Sequence, residues 1–110
     1  MIARALDPNN AWIWNSKAYV YIARKHYDTA LRCINRAIEL EPNNANYWDS
    51  QGEVQLHLKR PEDALVALNR ALELSPTFHA SWRNKAKALR ALGRKAEAIE
   101  AEANADKLEP

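Results

Sequence analysis

The chain has 110 residues, 47% of them apolar and 27% charged, a balance that excludes both a disordered tail and a membrane-embedded bundle. Sixteen basic and fourteen acidic residues leave a net charge of +2, too even to argue for a nucleic-acid partner. The single cysteine, Cys33, rules out an internal disulfide, Met1 to Leu6 do not read as a signal peptide, and no stretch approaches the ~20 apolar residues that span a bilayer. A cytoplasmic (intracellular) location with no membrane partner is the resulting expectation.

Four residue series share one period. Pro8, Pro42, Pro76 and Pro110 are spaced by 34, as are Trp14, Trp48 and Trp82, the trio Ala30, Ala64 and Ala98, and the leucines 6, 40, 74 and 108. A fixed period of this length marks stacked helical units. In chain order, residues 1–10 match the end of a preceding unit, 11–44 form the first unit, 45–78 the second and 79–110 the third. The chain reads as a fragment of a longer array, or as one that has lost half a repeat.

Each unit divides into two helices. Trp14, Ala18 and Tyr21 recur on one helical face, and Trp48, Gly52 and Gln55, then Trp82, Ala86 and Leu89, take the same places. The second helices carry Ala30, Leu31, Ile34, Ala37 and Ile38, then Ala64, Leu65, Leu68, Ala71 and Leu72. Pro61 can open a helix and Gly93 can close one. Asn9, Asn43 and Thr77 follow the prolines and are expected as helix caps. Ala18, Gly52 and Ala86 allow close approach of two helix backbones, with Ala30, Ala64 and Ala98 opposite and the tryptophans filling the space beside them. One such unit cannot hide its apolar face alone, so stacking supplies the stability.

These residues resemble the tetratricopeptide repeat (TPR) family. The first unit offers Trp14, Ala18, Tyr21, Ala30, Ile34, Ala37 and Pro42; the second Trp48, Gly52, Ala64, Leu68, Ala71 and Pro76; the third Trp82, Ala86, Ala98, Ala105 and Pro110. The resemblance implies an all-α solenoid of about three repeats, a superhelix whose concave wall is built by the first helix of each unit. It also implies protein–protein interaction: a scaffold or adaptor holding a peptide segment of a partner. Departures stand at Lys17, Gln51 and Lys85 (the family's leucine), at Gln55 and Leu89 (its tyrosine) and at Glu102 (its phenylalanine). Glu102 and Asp106 suit the last helix to water better than to a further repeat, since burying a carboxylate is costly.

Periodicity also gives the face opposite the Trp/Ala/Tyr stripe. It holds Trp12, Asn15, Tyr19 and Ile22 in the first unit, Asp49, Glu53, Leu56 and His57 in the second, and Arg83, Lys87 and Arg90 in the third. The wall is thus expected to run from apolar through acidic to basic. A matching peptide would place an apolar anchor on Trp12 and Tyr19 and acidic groups on Arg83 and Arg90, where bidentate hydrogen bonds give specificity. The plainer readings are a solvated face, acidic and basic stripes paired with each other, and Trp12 packed on the segment near Leu6. The two-carboxylate clamp by which some family members grip chaperone tails needs lysine, arginine and asparagine at places occupied here by Asn15, Tyr19, Ser50, Ala80 and Asn84. None matches, so such a tail is not the expected ligand.

No catalytic constellation is visible. His26, His57 and His79 form no zinc-protease pattern, Cys33 has no second cysteine for a metal, and Gly52 and Gly93 make no phosphate loop. An enzyme, a metal and a cofactor are not expected. Nucleic acid is a minor alternative carried by Arg83, Lys85, Lys87 and Arg90, and its mark would be steep salt dependence. The alternative function is structural self-association, a homo-oligomer formed through an apolar edge left exposed by the half-helix at residues 1–6.

Overall fold

The computed structural model describes residues 9–110, so the edge expected at residues 1–6 lies outside the described residues. Six helices follow one another: α1 (Ala11–Ala23), α2 (Tyr27–Leu40), α3 (Ala45–His57), α4 (Pro61–Leu74), α5 (His79–Ala91) and α6 (Lys95–Leu108). Helices α1 and α2, α3 and α4, and α5 and α6 pack as pairs. The pairs stack through α2 on α3 and α4 on α5, and α3 also touches α1 and α5. The result is an all-α repeat solenoid, drawn out to 53 × 26 × 22 Å.

The small residues sit where the pairs close. Ala18, Ala30, Ala64 and Ala98 are fully buried and Ala86 nearly so. Gly52 has no room for a side chain, because a Cβ there would lie 2.5 Å from Cγ of Leu68. Ile34, Leu68, Leu89 and Val54 are the largest fully buried apolar side chains, filling the core within and between the pairs. Trp14, Trp48 and Trp82 stand half-buried beside them. The indole N–H of Trp48 donates to the carbonyl of Pro42 and that of Trp82 to the carbonyl of Pro76. The lysines replacing the family's leucine lie over the indole rings, Lys17 over Trp14 at 4.6 Å and Lys85 over Trp82 at 5.1 Å, in cation–π geometry.

The helix ends differ in part from the sequence expectation. Pro61 opens α4 in the first turn, where its missing N–H costs nothing. The caps of the first helices fall one residue later than expected. Asn10 accepts from the N–H of Ile13, and Asn44 from that of Asn46, while Phe78 precedes α5 with no side-chain cap. Asn43 instead accepts from Arg70 of α4. Gly93 closes α5 at φ 77°, the N–H of Arg94 reaching back to the carbonyl of Leu89. Lys25 and Lys59 take the same left-handed conformation after α1 and α3, each at φ 62°. They repeat the hydrogen bonding, His26 to Tyr21 and Arg60 to Gln55. No helix among the described residues is long and apolar enough to cross a membrane.

Candidate peptide-binding groove

Helices α1, α3 and α5 stand side by side, and polar side chains tie them together. Ser50 spends its one proton on the carbonyl of Asn46, so the Tyr19 hydroxyl donates to Ser50 Oγ across 3.0 Å, joining α1 to α3. Ser81 Oγ donates to Asp49 Oδ1 at 2.6 Å and Asn84 donates to the same oxygen at 3.2 Å, joining α3 to α5. Asp49 is only 7% exposed, so these bonds hold a carboxylate that burial opposes.

A groove of about 490 Å³ opens along this wall. It brings together Tyr19 of α1, then Asp49, Glu53, Leu56 and His57 of α3, then Lys87 of α5. Phe78, Ala80 and Asn84 complete it. The sequence marks Ala80 and Asn84 only as places where a carboxylate clamp would need other residues, and gives no signal for Phe78. Phe78 lies in a connection, where helical periodicity gives no direction to a side chain.

The other residues of the expected wall lie elsewhere. Trp12 is 67% exposed. Ile22 packs on the core of the first pair, and the Asn15 side-chain oxygen is buried without a partner. Arg83 pairs with Asp106 and Glu109, and Arg90 makes two bonds to Glu102, at 2.9 and 2.7 Å. Both arginines thus spend their forks on carboxylates of α6 and of Glu109 just past its end, and a ligand carboxylate would have to displace one already in place. The alternative of acidic and basic stripes paired with each other takes a different form here, since the partners come from α6 and not from α3.

Burial sets the electrostatics of the groove. It raises the Asp49 carboxyl above its ordinary range against the hydrogen bonds from Ser81 and Asn84. It also raises Glu53, with the Asp49 charge adding to the rise and His57 and Lys87 opposing it. The Tyr19 hydroxyl is pushed up by burial, and Glu53 and Asp49 push it further, against the hydrogen bond to Ser50. Among the described residues no group of three or more histidine, cysteine or acidic side chains could hold a metal ion.

A family model described as tetratricopeptide repeat matches residues 18–92. No curated protein matches the chain. Among solved structures, the first TPR of Spaghetti (RPAP3), bound to the HSP90 peptide SRMEEVD, superposes with a TM-score of 0.90 at 23% identity, over 94% of this chain and 82% of that one. The second TPR of Spaghetti, bound to the same peptide, gives 0.89 at 19% identity over 98% of this chain and 100% of that one. A crystal structure of MamA gives 0.86 at 19% identity over 94% of this chain. This chain covers 60% of the length of that MamA chain. At these identities the likeness is one of fold.

Proposed function

The chain belongs to the tetratricopeptide repeat family, and on that premise we propose that it is a protein-interaction module whose wall of α1, α3 and α5 holds an extended peptide of a partner. Residues 11–44, 45–78 and 79–110 are its three units, and this wall is its concave face. The observation that carries the reading is the groove itself. Side chains from all three helices line it, and hydrogen bonds between those helices fix its floor before any ligand arrives. A preformed groove lowers the ordering cost of binding. Tyr19, Leu56 and Phe78 offer apolar contact, and the carboxylates, Asn84 and Lys87 offer polar contact.

Two of the structural neighbours hold the HSP90 peptide SRMEEVD. The places that a two-carboxylate clamp needs hold Asn15, Tyr19, Ser50, Ala80 and Asn84 here, so that peptide is expected to bind weakly or not at all. The direct test is selection of displayed random dodecapeptides on the full chain, followed by amide chemical-shift mapping with a selected peptide. Shifts along α1, α3 and α5 are expected. Shifts confined to α2, α4 and α6 would overturn the proposal. A mass that grows with concentration in light scattering, without selected peptides, would point instead to self-association.

A further inference from the structure

Asp49 and Glu53 stand one turn apart on α3 and both face the groove. Tyr19 faces them from α1, with its proton committed to Ser50. From α5 come Asn84, which holds Asp49, and Lys87. His57 lies one turn beyond Glu53 on the same helix. Lys87 is the only ammonium or guanidinium group among the lining residues, because Arg83 and Arg90 are turned to the carboxylates of α6. The α5 stripe that reads as a cationic surface in the sequence therefore gives the groove one cation against two carboxylates.

We propose that the partner peptide is basic, with an arginine or lysine side chain seated against Asp49 and Glu53 and walled by Tyr19 and Phe78. The inference rests on the groove being the peptide site. Like charges one turn apart repel, and partial burial deprives them of water that would screen the repulsion. Burial raises both carboxyls above their ordinary range, and the Asp49 charge adds to the rise of Glu53. A ligand cation relieves that penalty on arrival, so part of its binding energy is stored in the empty groove. Aromatic faces favour a cation beside them, and Leu56 and Phe78 suit the apolar stem of a long basic side chain. An acidic peptide would meet the two carboxylates with Lys87 as its only countercharge.

The test uses the full chain and three labelled nonapeptide pools with degenerate flanks, whose central residue is arginine, citrulline or glutamate. Citrulline keeps the shape of arginine and removes its charge. Binding is followed by fluorescence anisotropy, and the contact surface by amide shifts. The arginine pool is expected to bind about tenfold more tightly than the citrulline pool, as one charge-assisted pair allows. The glutamate pool should bind weakest. E53Q, which touches no hydrogen bond that holds the helices together, should remove most of the difference, and the D49N/E53Q double variant the rest. Glutamate or citrulline binding as tightly as arginine, with shifts in α1, α3 and α5, overturns the basic-ligand inference and leaves the groove reading standing. No pool shifting those amides overturns both.

Discussion

Trp48 donates its indole N–H to the backbone carbonyl of Pro42, six residues earlier, across 2.7 Å, and Trp82 repeats the bond to Pro76 at 2.9 Å. Two of the four residue series that reveal the period in the sequence are thus partners in space. Proline stands in the turn between one unit and the next, and the tryptophan of the next unit locks that turn by hydrogen-bonding to the proline carbonyl.

Replacing Trp48 with phenylalanine keeps most of the ring and removes the donor. A loss of about 1 kcal/mol is expected in urea unfolding, the usual net worth of such a bond. Trp48→Ala also removes the ring and should cost about 3 kcal/mol or more. A Trp48→Phe variant as stable as the parent would mean that the hydrogen bond contributes nothing.

Lys59 sits at φ 62°, a conformation in which a side chain is strained. Lys59→Gly is expected to stabilise the fold by about 1 kcal/mol, with Lys25→Gly behaving alike. Gly93→Ala should destabilise by a similar amount through the backbone alone, since no atom lies within 4 Å of the Cβ it would add. Thermal unfolding of the three variants checks both signs.

Gly52→Ala places a methyl against Leu68. The expected cost is about 1–3 kcal/mol, typical of an overpacked core. Leu68→Val in the same chain should recover part of it by opening space. A double variant no better than the additive sum would locate the strain elsewhere.

Glu53 titrates above its ordinary value of 4.5 because burial, aided by the Asp49 charge, opposes its ionised form. Between 4.5 and that raised value the folded chain binds more protons than the unfolded chain, so this group's contribution to stability falls as pH rises through the window. Glu53→Gln removes the effect. The variant should be more stable than the parent at neutral pH, and the gap should close as pH drops below 4.5. A gap that widens in acid would reverse the assignment.

The fold is legible in the sequence because packing repeats with the chain. The small buried positions shared by the units, Ala18 and Ala86 in the first helices and Ala30, Ala64 and Ala98 in the second, fall in a 34-residue register. The helix ends are less legible. Lys25 and Lys59 occupy the register of Gly93, yet a lysine carries no turn signal, and only the common period marks them. The groove is readable in direction but not in reach. Periodicity places Arg83, Lys87 and Arg90 on one stripe, but it cannot say that two long guanidinium side chains turn away to α6 while the ammonium stays. Nor does it show that Ser81 and Asn84 draw Asp49 into a nearly closed site, since that depends on how two successive units are rotated against each other.

Among the described residues, packing between helix pairs runs chiefly from neighbour to neighbour: α1 and α2 rest on the second pair and make no comparable contact with α5 or α6. Such a column melts inward from its ends, with α3 and α4, held on both sides, exchanging their amide hydrogens last. A segment lying along Tyr19, Glu53 and Lys87 would bridge the outer pairs, which among the described residues are joined chiefly through the middle one. Its arrival would be felt as a tightening of the whole column into one cooperative body.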